Sequence, residues 1–246
     1  MKYFLLSDIH SNLEALDAVL ENARSRGEGE FVVLGDIVGY GANPNEVIAR
    51  VRDLKPIVMI RGNHEKVIAG WEEEDEFNAA AQAAVKWTQD SLTEENRDFI
   101  RSLPGGPIGI HDEVLASHGT PIDEDDYLFS EYDAMNIFKK IDFRICFFGH
   151  THFPMVFALD GETLYYYSPG KGNVKVKIEE GLRYLINPGS IGQPRDRIPD
   201  ASYAIYESES KMVSFIRVPY DVDKAKAKIL QAGLPVMLAT RLSLGL

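Results

Sequence analysis

Three short apolar runs in the first 65 residues each end in a polar tip. "KYFLLSD", "FVVLGD" and "IVMIRGNHE" read as buried strands. Between the first two lies "NLEALDAVLENARSR". Its Leu13, Leu16, Leu20 and Ala23 share one helical face, and Asn12 stands where a cap belongs. Between the second and third lies "NPNEVIARVRDL", with Pro44 at the first helical position. Strand, helix, strand, helix, strand is the order of a parallel sheet with crossover helices.

The middle of the chain adds helices at "NAAAQAAVKWTQDSL", "EENRDFIRSL" and "EYDAMNIFKKI". "GPIGIHDEVLASHG" reads as two strands joined at His111-Asp112-Glu113, and "FRICFFGH" as another strand. The acidic run "WEEEDEF" reads as a solvated helix end or loop. After residue 160 the chain is strand-rich, in "TLYYYS", "VKVKIEE", "LRYLINPGS", "SYAIYES" and "MVSFIRVPY", before a helix at "DVDKAKAKILQAG". No repeat, low-complexity tract or long linker divides it. Residues 1–246 are expected to form one domain of two sheets packed face to face with helices outside.

Composition narrows the partners. The formal net charge of −12 argues against an extended nucleic-acid surface, which needs arrays of Lys and Arg. A phosphorylated small molecule or nucleotide stays open, because bound cations can dominate a local field. The single cysteine, Cys146, cannot form an internal disulfide and reads as a small buried residue. The apolar start of "MKYFLLSDIHSN" is too short for a signal core or a membrane span. A cytoplasmic protein without a membrane partner is expected.

Five of the six histidines, all but His111, follow apolar runs. Asp8-Ile9-His10 ends the first strand and Gly35-Asp36 the second. Gly62-Asn63-His64-Glu65 ends the third. Ser117-His118-Gly119 and Gly149-His150-Thr151-His152 end two later ones. Strand ends of an open α/β sheet meet at one crevice, so these residues can converge. Imidazoles and carboxylates bind divalent transition ions such as Mn, Fe and Zn. Without cysteine ligands, a closed structural zinc site is disfavoured. Asp8, His10, Asp36, Asn63, His118, His150 and His152 exceed one four-coordinate ion and suit two ions sharing a carboxylate.

"DIHSN", "GDIVGYG", "GNHE", "SHG" and "GHTH", in that order, resemble the five blocks of the calcineurin-like metallophosphoesterase superfamily. "NPGSIGQPRD", from Asn187 to Asp196, further resembles its small prokaryotic phosphoesterase branch. The resemblance implies a four-layer α/β/β/α sandwich with a two-metal site: Mn, with Fe, Zn, Ni or Co as alternatives. Carried over residue by residue, Asp8, His10, Asp36 and His152 hold the first ion. Asp36, Asn63, His118 and His150 hold the second, with Asp36 bridging. His64 stands beside them as the acid for the leaving oxygen, oriented by a carboxylate partner. The implied activity is hydrolysis of phosphate mono- or diesters by a hydroxide bridging the metals.

The second block departs from the phosphoprotein-phosphatase pattern Gly-Asp-x-Val-Asp-Arg-Gly, having Gly39 and Tyr40 in place of the second Asp and the Arg. Arg61 and Arg195 are then the candidates for phosphate contact, beside Asn63. A phosphoprotein or dinucleoside-polyphosphate phosphatase is the alternative activity. A non-catalytic scaffold would have broken ligands, and none is broken here. Tyr165-Tyr166-Tyr167 reads either as strand packing or as the lining of a nucleobase pocket.

Overall fold

The computed structural model describes residues 1–73 and 77–246. In chain order it has β1 (Lys2–Leu6), α1 (Leu13–Ser25), β2 (Glu30–Val33), α2 (Pro44–Asp53), β3 (Val58–Met59) and α3 (Asn63–Ala69). Next come α4 (Ala79–Ser91), α5 (Glu94–Ser102), β4 (Ile108–His111), β5 (Val114–Ala116), α6 (Glu131–Lys140) and β6 (Ile145–Phe147). The chain goes on through β7 (Met155–Asp160), β8 (Thr163–Tyr167), β9 (Val174–Lys177), β10 (Arg183–Asn187), β11 (Ala201–Glu207) and β12 (Met212–Val218), then α7 (Val222–Gln231) and α8 (Val236–Leu244).

The strands form two six-stranded mixed sheets, ordered β3-β2-β1-β11-β12-β9 and β4-β5-β6-β10-β7-β8. In the first, β1, β2 and β3 are parallel, as the early alternation requires, and β11 joins β1 antiparallel. In the second, β5, β6 and β10 are parallel and the flanking strands antiparallel.

Alternating side chains fix the layers, because successive residues of a strand face opposite ways. On β1, Tyr3 and Leu5 face a core shared with Val114, Phe147 and Ile186 of the other sheet. Phe4 and Leu6 face away, into a core with Leu16 and Leu20 of α1 and Val47 of α2. On the second sheet Cys146, Phe148 and Leu185 turn outward against Ile137 and Phe138 of α6. The result is the expected α/β/β/α sandwich. Cys146 is a buried free thiol.

Three elements differ from the sequence reading. The third strand is only two residues long, and its polar tip is instead the first turn of α3, begun at Asn63. Glu65 occupies the third position of that turn and accepts a hydrogen bond from the Gly62 N–H at 2.7 Å, so the tip meets a helix start signal. β7 and α8 were not foreseen. β7 is almost wholly buried between β8 and β10, where an apolar run has no polar alternation to mark it. α8 packs Leu238 and Leu242 against Tyr40 and α4. Of the acidic run, residues 74–76 lie outside the described residues. Tyr165, Tyr166 and Tyr167 lie on β8, the edge of the second sheet, each about half exposed.

Leu5 is fully buried between the sheets. Leu5→Ala is expected to destabilise the fold by about 2–5 kcal/mol, the cost of the lost transfer energy and the cavity left behind. Denaturant unfolding checks this: a loss below about 1 kcal/mol would mean that the inter-sheet core collapses onto the gap.

Candidate metal centre and active-site cleft

The strand ends converge as expected. Ligand atoms of Asp8, His10, Asp36 and His152 all lie within 4.8 Å of one another, and so do those of Asp36, His118 and His150. Asp36 belongs to both groups. Its Oδ2 stands 3.5 Å from His10 Nε2 and 3.4 Å from His118 Nε2. Asn63 Oδ1 is 3.2 Å from His118 Nε2, which puts the amide with the second group. Asp8 Oδ1 is 3.4 Å from His152 Nε2.

Main-chain carbonyls decide which nitrogen of each ring faces inward. His10 Nδ1 is 3.1 Å from the Val38 carbonyl, His118 Nδ1 is 2.7 Å from that of Leu34, and His152 Nδ1 is 2.6 Å from that of Gln193. A carbonyl oxygen only accepts, so each Nδ1 must carry the proton. In the neutral ring Nε2 is then a lone pair. His150 is reversed: Nε2 donates to the Asp125 carbonyl at 3.1 Å and Nδ1 is left for the cluster. His10 Nε2 and His152 Nε2 face each other at 3.1 Å. Two lone pairs so close repel unless a cation lies between or beside them. The donor set therefore fits divalent ions, and the carbonyl partners are the outer contacts that orient ligating histidines.

The backbone is distorted where it carries these groups. Asp8, His10, Asp36, His150 and His152 all have φ between +49° and +65°. This region disfavours residues with a Cβ, at a cost of about 1–2 kcal/mol each. Such conformations persist only where the surroundings over-determine them. Here the loops are tied together. Ser7 Oγ donates to Asp8 Oδ2 at 2.7 Å, and the His150 N–H donates to Asp8 Oδ1 at 3.1 Å. The "NPGSIGQPRD" segment links the first and last blocks: Ser190 Oγ donates to the Asp8 carbonyl, and Asn187 Nδ2 to that of Gly149.

Glu65 is a positioning residue that sequence reasoning passed over. It is fully buried, and its carboxylate accepts the N–H groups of Asp36, Val38 and Gly62 at 2.7–3.0 Å. It pins the loop carrying Asp36 to the start of α3. Its place as the third residue of a helix was the available signal. Tyr127 was also missed. Its ring stacks on His150 with centroids 3.8 Å apart, and the segment that carries it has no motif.

His64 lines the cleft next to the ligands, and its N–H donates to Asp36 Oδ1 at 3.1 Å. Among the described residues the expected carboxylate partner is absent: His64 Nδ1 is buried with no hydrogen-bond partner among them. Ring contacts hold the imidazole instead, at 4.5 Å from Tyr40, 4.8 Å from His10 and 4.7 Å from Phe77. Gly39, at φ +92°, lies against this ring, and any Cβ there would collide with His64 Nδ1. Arg195 also lines the cleft, with Nε buried and unpartnered among the described residues; its guanidinium contacts Gln193 Oε1 through Nη2 at 3.4 Å and hydrogen-bonds the Tyr127 side chain. Arg61 does not join it. Its guanidinium pairs with Glu124 at 2.7 Å and lies over Trp71.

Burial and charge set the protonation states. Burial holds His10 and His152 well below the ordinary histidine value, and lowers His150 to about 3 and His64 to about 4. Burial pushes Asp8 up to about 7. His118 is the exception. Burial opposes its charge, but the Asp36 carboxylate and its hydrogen bond raise it to about 10. In turn, the charge and hydrogen bond of His118 outweigh the burial of Asp36 and keep that carboxyl ionised. Without metal, then, a proton on His118 serves as the cation of the second group.

The fold and its inward-facing imidazoles and carboxylates define a class of α/β/β/α proteins built around a cation-binding crevice. The sequence matches the calcineurin-like phosphoesterase superfamily domain over residues 1–211, and the chain belongs to that superfamily. It is 41% identical to the uncharacterized protein MJ0912 of Methanocaldococcus jannaschii, across 98% of this chain and 97% of that one. It is 23% identical to the phosphodiesterase YfcE of Escherichia coli, across 85% and 89%. The crystal structure of a metallophosphoesterase from Sphaerobacter thermophilus superposes with a TM-score of 0.88 at 38% identity, covering 100% and 99%. No helix among the described residues is long and apolar enough to cross a membrane.

Because His118 titrates near 10, it is protonated in the metal-free protein at pH 7.5. Loading should displace about one proton from it, and affinity should fall as pH falls. Calorimetric titration with Mn in two buffers of different ionisation heat reads the proton count. Equal heats in both buffers would contradict the assignment.

Proposed function

We infer that the protein hydrolyses phosphate mono- or diesters with two divalent transition ions, Mn foremost. The observation that carries this is the pair of ligand groups sharing Asp36 Oδ2, with lone pairs turned inward from four histidines. Membership in the phosphoesterase superfamily and the likeness to a phosphodiesterase support the ester class. Asp8, His10, Asp36 and His152 would hold one ion; Asp36, Asn63, His118 and His150 would hold the other. When bound, the pair supplies an activated water and neutralises charge on the phosphate.

The chain's own residues do the rest. Arg195 has no carboxylate partner among the described residues, so its guanidinium is free to take phosphate oxygens. Arg61 is engaged by Glu124, which leaves Arg195 as the phosphate-binding arginine. His64 is neutral at pH 7 and carries one ring N–H. Turned to the leaving oxygen, that group donates a hydrogen bond that strengthens as negative charge develops there. Tyr40 and Phe77 pack around the imidazole and keep water from it.

The deciding experiment adds Mn to metal-stripped protein and measures metal content and turnover on nitrophenyl mono- and diesters. Two ions per chain and metal-dependent turnover are expected. Asp36→Asn should weaken both sites, and Asn63→Ala mainly one. One tight ion, or none, would refute the two-metal assignment. Arg195→Ala should lose activity and Arg195→Lys recover little of it, because a planar fork is not replaced by a point charge; an Ala variant at the wild-type rate rules out the phosphate contact.

His64→Ala should keep both ions yet lose about 10²–10⁴-fold on an alkyl ester, whose leaving oxygen needs a proton. Nitrophenyl esters should fall far less, since nitrophenolate leaves as a stable anion. His150→Ala should instead lower metal content and both rates together. An unchanged dependence of rate on leaving-group pKa in His64→Ala would show that His64 does not stabilise the leaving oxygen.

A further inference from the structure

Beside the metal ligands opens a second space, a cavity of about 500 Å³. Asn63 and His150 form its inner end, so it is continuous with the reaction centre. Phe77 and Tyr127 line both this cavity and the cleft over the metals. A group attached to a phosphate held at the centre therefore has this space to enter.

The two spaces differ in sign. The cleft has Arg195, and its bound ions add positive charge. The cavity is lined by Glu72, Glu73, Asp123 and Asp125, and among the described residues no Lys or Arg lines it. Glu72 and Asp125 are paired with Lys66, which lies buried behind the wall. Glu73 and Asp123 have no ion-pair partner among the described residues, and both are exposed residues lining the cavity. An anionic group seated there would meet uncompensated carboxylates. A cationic one would gain them, together with the faces and edges of two aromatic rings.

We propose that this cavity receives the departing alcohol of the substrate and selects esters of amino alcohols, whose protonated amine is held by Glu73 and Asp123 between Phe77 and Tyr127. This rests on the phosphoesterase reading above. The metals and Arg195 grip the phosphate at one end, and the carboxylates grip the ammonium at the other. An alcohol bearing a second phosphate or a carboxylate is turned away.

The test uses Mn-loaded protein and three two-carbon monoesters that differ only in their far end. These are phosphoethanolamine (ammonium), 2-hydroxyethyl phosphate (hydroxyl) and phosphoglycolate (carboxylate), each also as its methyl diester. kcat/KM should fall in that order, with the ammonium ester about tenfold or more above the carboxylate ester, as attraction to two unpaired carboxylates would give. Glu73→Gln combined with Asp123→Asn should bring the two extremes within about threefold, and so should high salt on the wild type, which screens exposed charges. Where turnover is slow, inhibition constants against bis(p-nitrophenyl) phosphate should follow the same order. A carboxylate ester handled as well as the ammonium ester, or a preference surviving in the double variant and in salt, overturns the proposal. If the nitrophenyl esters are hydrolysed but the series shows no order, only the cavity assignment falls. If no ester is hydrolysed, the phosphoesterase reading falls and takes the proposal with it.

Discussion

The Nδ1–H groups of His10, His118 and His152 each end on a main-chain carbonyl oxygen, and the site depends on those three hydrogen bonds. They fix the tautomer and the ring plane, so the Nε2 lone pairs have only the crevice to face. The carbonyls belong to Leu34 and Val38, just beyond β2, and to Gln193, in the segment after β10. Only the His118–Leu34 bond crosses between the sheets; His10 and His152 are each oriented by a carbonyl from their own sheet. Imidazoles aimed in this way concentrate negative potential at one point, and the 3.1 Å approach of His10 to His152 makes sense only with a cation present.

A cluster of this kind is costly to assemble. Five of its residues hold left-handed backbone, and two of its carboxylates are fully desolvated. The packed sandwich supplies the rigidity that offsets this. Each ligand loop springs from a strand buried on both faces, so it starts from a fixed point. Glu65 then joins the Asp36 loop to the start of α3 through three charge-assisted hydrogen bonds. Strain sits at the strand tips, and the cores on either side of each sheet prevent its release.

The charge of the whole chain says little about the site. The surface is strongly acidic, yet the reaction centre is arranged to hold cations and, through them, phosphate. Arg195 contributes the one unpaired guanidinium of the cleft among the described residues, while the neighbouring cavity keeps the acidic character of the surface.

The order of strands and helices in the first 65 residues, and the polar residues that follow β1, β2, β5 and β6, were legible in the sequence because period and punctuation are local properties. Asp8, His10, Asp36, Asn63, His118, His150 and His152 could be gathered from it, since residues at strand ends have a shared destination in such a sheet. The sequence did not reveal that Arg61 turns away to Glu124, that Tyr40 and Phe77 flank the His64 ring, or that Phe77 and Tyr127 wall the cleft. Those outcomes depend on partners distant along the chain. Local pattern determines which element a residue begins or ends; only tertiary packing decides which charge or ring it meets there, because the energies that settle the choice, burial and Coulomb attraction, act through space and not along the sequence.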